Sequence, residues 1–331
     1  MKKLLICILG GIASALVLIQ IYNFFIHSEI CFFRNADTIS TRWEHQFRLN
    51  KQPCYILGGG SEIRSSLSPQ MMQQCSGICA VNAATAAPFG LGANVAIALN
   101  HVQPGDTLVL SVISVNDENT QAKEGGIKLA TQLFGFHAFT RGGIPINHDS
   151  LLALLSSNAG NMLVTATRKL TRGYAYIYDA QSTIHPDGWM EIALSRMKNA
   201  KPGTLKPTDI RVGDVCVSIL NHAQRECRKI GADFAVMLPV GYTNTYETPR
   251  RLLHALQITR LGIPVLRDER LGRMTDASKL ADTHFHLNQE GTAENSRIIA
   301  QLLANKSYWT EAELLERLHK LGIPADAEEL P

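Results

Sequence analysis

The sequence predicts an α/β fold, a three-layer sandwich with a parallel sheet covered by helices, preceded by one N-terminal transmembrane helix. Three observations predict it. Short Val/Ile/Leu-rich runs, several ended by glycine or proline, alternate with longer helical segments. A chain that is 45% hydrophobic, 18% charged and carries a net charge of only +3 is neither disordered nor low in complexity. Residues 4–26 form an uncharged run of 23 residues behind Lys2 and Lys3.

At about 1.5 Å per helical residue that run spans roughly 34 Å, enough for a hydrocarbon core of about 30 Å. Residues 1–30 are therefore expected to form an uncleaved signal anchor, since a cleaved signal has a shorter apolar region. With Lys2 and Lys3 kept in the cytoplasm, everything after residue 30 lies across the membrane. The expected location is a bacterial inner membrane, crossed once, with the C-terminal domain in the periplasm or another extracytoplasmic space. The mixed, polar residues 31–50 read as a stalk. Six cysteines (Cys31, Cys54, Cys75, Cys79, Cys216, Cys227) follow the anchor, an even number that suits a structural or disulfide role outside the cytoplasm. The near-neutral balance offers no basic face for nucleic acid, so no nucleic-acid partner is expected.

The main domain is expected over 51–305. Its strands are read at 54–59 (CYILGG), 77–84 (GICAVNAA), 106–113 (DTLVLSVI), 233–240 (DFAVMLPV) and 263–268 (IPVLRD). Helices are read at 91–100, 209–229, 249–260 and 291–304. The stretch 118–205 breaks the alternation and reads as an insertion, in which Tyr174, Tyr176, Tyr178 and Trp189 either pack or line a substrate surface. Residues 306–331 form a tail with an amphipathic helix over 311–321. Arg250 and Arg251 read as a solvated helix face, Arg64 as a surface or packing residue, and His101 as a surface or capping histidine.

Two segments carry chemistry. Leu57-Gly58-Gly59-Gly60-Ser61-Glu62 closes the first strand, at the sheet edge where open α/β folds bind ligands. The glycines let the backbone turn sharply and present Ser61 as a nucleophile whose own N–H can help hold an oxyanion. A dinucleotide fingerprint would need glycine where Ile63 stands and an acid about 20 residues on, yet no Asp or Glu lies between Glu62 and Asp106. The second segment, Asp282-Thr283-His284-Phe285-His286-Leu287-Asn288, precedes the last core helix. It supplies a base and an orienting acid for the serine. His284 and His286 face opposite ways in extended chain, and His286 is favoured because it leads into the helix start. Asp282, His284 and His286 also have a metal-like spacing, but no second ligand cluster accompanies them, and neither metal nor cofactor is expected.

Together the two segments resemble the SGNH (GDSL-type) hydrolase superfamily, and more narrowly its bacterial membrane-anchored members that act on cell-envelope acyl groups. The resemblance covers 54–130 and 207–305. It implies Ser61 as nucleophile, His286 as general base and Asp282 as orienting acid, with the oxyanion hole completed by the Ser61 N–H and Asn116. After the second strand, Asn82, Ala83 and Gly90 stand where a further donor belongs, Asn82 being able to donate through its side chain. Two departures stand out: Gly-Gly-Ser-Glu replaces Gly-Asp-Ser, and Asp282 lies four residues before His286 rather than three. The implied activity is a serine esterase or O-acyltransferase acting on acyl (acetyl) esters of an extracytoplasmic glycan. Its partners would be that glycan, the inner membrane, and proteins of a polysaccharide-modification complex. The rival reading is an inactive relative that binds glycan or scaffolds such a complex; a metal-dependent hydrolase is a third.

Overall fold

A computed structural model describes residues 2–25, 28–112, 167, 170–171, 181–192, 210–243 and 247–326. At its centre four parallel strands, β1 (Tyr55–Gly58), β2 (Ala80–Asn82), β3 (Thr107–Ser111) and β6 (Asp233–Met237), lie in the order β2-β1-β3-β6. The strands sit where the apolar runs predict them. The run 263–268 behaves differently: it touches β6 through a single parallel bridge, Val236 to Val265. Pro264 has no N–H to donate, and Asp268 turns the chain by accepting from the Arg270 and Gly272 amides.

Alternate strand residues face opposite layers. Ile56, Leu108, Leu110 and Val236 pack in one core with α5 (Leu91–His101), α6 (Asp214–Ile230) and α7 (Glu247–Arg260). Leu57, Val109 and Met237 pack in a second core with Met72 of α4 (Pro69–Ser76) and Ile299, Ala300 and Leu303 of α8 (Gln289–Ala304). The protein is thus α/β, a parallel sheet flanked by helices.

The residues read as a stalk are instead part of α2 (Ser28–Arg48), which lies on the domain. Phe32, Phe33, Ala36, Ser40, Trp43 and Phe47 are buried at helical spacing, although the overall composition of the segment is polar. Trp43 Nε1 donates to the Ala80 carbonyl (3.0 Å), and Phe33 meets Phe89 edge-on. Ahead of it α1 runs continuously from Lys2 to Phe25. The side chains of residues 4, 12, 15, 16 and 19–31 lie outside the described set. Among the described residues, no helix is long and apolar enough to cross a membrane.

Most of the insertion expected at 118–205, including Asn116 just before it and Tyr174, Tyr176 and Tyr178 within it, lies outside the described residues. Its described part holds a hairpin, β4 (Ser182–Ile184) with β5 (Met190–Ile192), whose Met190 and Ile192 join Phe32, Phe33 and Phe89 in a third core. Trp189 is buried packing, with Nε1 on the Ser65 carbonyl at 3.1 Å. In the tail, Thr310 caps α9 (Glu311–Lys320), whose Leu314 and Leu318 complete the first core with Trp309. Cys7, Cys54, Cys75, Cys79 and Cys227 are free thiols, Cys216 is buried in the first core, and burial pushes the Cys54 and Cys227 thiols up to about 12.

Candidate active site

At the carboxyl end of β1 the chain turns through Gly59 and Gly60 into α3 (Ser61–Arg64). Gly59 has φ +150°, outside the range L side chains favour. A Cβ on Gly60 would lie 2.6 Å from the Ala87 nitrogen, so only glycine lets the turn after β2 close on the serine turn. Ser61 emerges from this junction.

The structure brings Ser61, His286 and Asp282 together across 225 residues of chain. His286 Nε2 lies 2.9 Å from Ser61 Oγ, and His286 Nδ1 lies 2.7 Å from Asp282 Oδ1. His286 is buried and Asp282 is part-exposed, its side chain open to 16%. A closed loop accommodates the four-residue spacing: the Ala281 amide donates to the His286 carbonyl (2.9 Å), and Leu280 bridges Leu287 in antiparallel sense. His284 faces away, its ring stacked near Tyr242, so Asp282, His284 and His286 do not converge as ligands. Among the described residues no group of three His, Cys, Asp or Glu side chains could hold a metal.

One helix positions both halves of this arrangement. Asn288 caps α8 by accepting from the Gly291 N–H at 3.0 Å, two residues after His286. Further along α8, Thr292 donates to the Ser65 carbonyl (2.9 Å), Asn295 donates to the Ser66 carbonyl (3.1 Å), and the Ser296 hydroxyl accepts from the Ser68 amide (2.9 Å). The segment following the serine is therefore tied to the helix following the histidine. Polar residues every three to four positions on an otherwise apolar helix face were the available signal for this.

Asn82 does not have the oxyanion role expected of it. Its Nδ2 donates to the carbonyls of Leu67 (3.0 Å) and Ile63 (3.3 Å), while Oδ1 accepts from the Ala84 amide. Asn82 thereby holds the turn that follows the short helix, adding to the Ser66 and Leu67 amides that already bond the Ile63 carbonyl. The backbone that packs against the serine turn is that of Ala87, whose nitrogen would lie 2.6 Å from a Cβ on Gly60; the small-residue run 83–87 was its trace in sequence.

Arg64, three residues after Ser61, is fully buried and faces no substrate. Its guanidinium donates to the carbonyls of Ala84 (2.7 Å) and Gly188 (3.0 Å) and to Ser40 Oγ (3.0 Å). It thereby joins α2, the loop after β2 and the β4–β5 hairpin. Burial lowers its pKa to about 10 despite Asp37 and Asp187 nearby. Arg251 is likewise buried rather than solvated: it donates to the Pro239 (2.6 Å) and Leu271 (2.8 Å) carbonyls and holds the loop after β6.

A serine hydroxyl on an imidazole that is itself held by a carboxylate can, as a geometry, deprotonate the hydroxyl for attack on a carbonyl carbon. No family model, curated protein or solved structure matches this chain.

Proposed function

We propose that this protein is a serine esterase or O-acyltransferase of SGNH-like build, acting on acyl esters of an extracytoplasmic glycan. The observation that carries the proposal is the unbroken contact Ser61 Oγ–His286 Nε2, Nδ1–Asp282 Oδ1, at 2.9 and 2.7 Å.

In the proposed reaction His286 takes the Ser61 proton as Oγ attacks the ester carbonyl. Asp282 accepts the hydrogen bond from Nδ1, which fixes the ring and stabilises the imidazolium. The tetrahedral oxyanion is held by the Ser61 N–H together with Asn116. His286 then passes its proton to the departing alkoxide, leaving an acyl group on Ser61. Water resolves the acyl-enzyme in an esterase, and a sugar hydroxyl in a transferase. The charge-free run 4–26 anchors the chain in the inner membrane with the domain outside the cytoplasm, which makes O-acetylated envelope polysaccharide the substrate class and its modifying proteins the partners.

The test uses the full chain in detergent with an aryl acetate ester. Turnover is expected, together with labelling of Ser61 by a fluorophosphonate, and Ser61→Ala should abolish both. Turnover that survives Ser61→Ala would remove the proposal. A folded wild-type chain that neither turns over the ester nor takes the label would favour the glycan-binding reading.

A further inference from the structure

Glu62 follows the nucleophile directly and is 0% exposed, yet no cation among the described residues pairs with it. Oε1 accepts the Gly60 N–H at 3.0 Å, and Oε2 is buried without a hydrogen-bond partner. The carboxyl is pressed against the glycine turn: a Cβ on Gly60 would lie 2.5 Å from Oε2, and one on Gly59 would lie 3.1 Å from Oε1. From β3 the group facing it is Ser111, whose buried hydroxyl is near enough to the carboxyl to favour its ionised form but makes no hydrogen bond of standard geometry. From the loop before α8 the titratable group that reaches it is His286. The neighbouring cation, Arg64, is committed to Ala84, Ser40 and Gly188 on the other side.

A carboxylate in such a place would be costly, because burial without a counter-charge penalises the ionised form far more than the neutral acid. Desolvation accordingly pushes Glu62 above the usual carboxylate range, although the Gly60 and Glu62 amides, His286 and the Ser111 hydroxyl pull the other way. An uncharged acid behind the serine also avoids opposing the negative charge that develops on the oxyanion.

Resting on the esterase reading above, we propose that Glu62 is a positioning residue that works as a neutral acid. Its Oε1 clamps the Gly60 amide and so fixes the turn that aims Ser61 at His286. Its proton, on Oε2 beside Ser111, keeps negative charge out of the oxyanion site. Activity should then fall as pH rises through the raised pKa of Glu62 and the acid loses its proton.

The experiment compares wild type, Glu62→Gln and Glu62→Asp as full chains, reading kcat and KM for an aryl acetate against pH, and melting temperature against pH. Gln keeps an uncharged acceptor for Gly60, so kcat should stay within about threefold of wild type while the alkaline decline due to Glu62 disappears. Asp withdraws the carboxyl by one methylene, so kcat should fall by about 10- to 100-fold with KM little changed. The melting curves give a readout that does not need activity. A carboxyl whose folded pKa is raised stabilises below its unfolded pKa and loses that stability as pH rises through the folded pKa. The wild-type melting temperature should therefore drop further with rising pH than that of Glu62→Gln, which keeps only the decline that His101 causes in both. Identical alkaline behaviour of wild type and Glu62→Gln in the melts overturns the proposal whether or not the chain is an esterase. So does a folded Glu62→Gln as inactive as Ser61→Ala. Absence of turnover and label in wild type, with the difference in melting retained, fails the esterase reading alone.

Discussion

Two buried histidines sit at opposite edges of the same sheet, each against carboxylates, and they are built for different ends. At the carboxyl edge His286 has Asp282 on one nitrogen and the Ser61 hydroxyl on the other. At the amino edge His101, the last residue of α5, has Glu44 on Nδ1 (2.7 Å) and Asp37 on Nε2 (3.1 Å), both from α2. Beside it Arg48 donates to Asp106 through both terminal nitrogens, and Asp106 also accepts from the Cys54 and Gln103 amides. A ring with carboxylates on both nitrogens is held as a cation: burial alone would depress its pKa, but the Asp37 and Glu44 hydrogen bonds raise it to about 9. Such a ring has no proton-accepting nitrogen to offer. What a buried histidine can do is thus set by its second neighbour, an acid making a latch and a hydroxyl making a relay.

Substitution of the two rings separates them most widely. His286→Ala should lower kcat on an aryl acetate by about 10⁴-fold or more while leaving urea unfolding nearly unchanged. His101→Ala should leave kcat at the wild-type level and move only the unfolding midpoint. Comparable losses of activity in two folded variants would break the comparison.

Within the latch, Asp106→Ala leaves the Arg48 guanidinium with Glu44 alone and strands the buried Cys54 amide. Removing one partner of a buried ion pair costs about 3–5 kcal/mol, read as a lower urea midpoint. The latch also makes a prediction about pH. The folded pKa of His101 is raised from 6.5 to about 9, so its contribution is fully present below pH 6.5 and lost as pH rises through 9. That contribution is on the order of 3 kcal/mol and should appear as a falling melting temperature between those limits, shallower in His101→Gln. The smallest effect sharpens the other edge: Asn82→Ala should destabilise by about 1–3 kcal/mol, because the Leu67 carbonyl loses its donor and the Ala84 amide its acceptor. A loss of kcat of about 10²-fold or more in a fully stable Asn82→Ala would instead restore an oxyanion role for its side chain.

The residues whose placement could be read from sequence are those whose meaning is local. Ser61 stands out because three glycines precede it, and Asp282, His286 and Asn288 because all three occur within seven residues. The strands stand out because four or five consecutive β-branched and aliphatic residues suit a strand buried on both faces. The stalk reading failed because composition averages over a helix, whereas burial follows one stripe of it: Phe32, Ala36, Trp43 and Phe47 are diluted among Arg34, Asp37, Arg42 and Glu44. Arg251 and His101 were misread for a related reason. Charged side chains are ordinarily solvated, and only partners 12 and 57 residues away in sequence make their burial possible.

The order of strands and helices, the glycine turn that exposes Ser61, and the presence of an acid and a base just ahead of the last core helix were determined by the sequence alone, because each depends on neighbours a few residues apart. Only the tertiary structure decided that His286 rather than His284 meets Ser61. It alone decided that Asn82 supports the backbone instead of facing the oxyanion, and that Glu62 lies buried without a counter-charge. Those outcomes depend on which atoms share a dry interior, and distance along the chain carries no record of that.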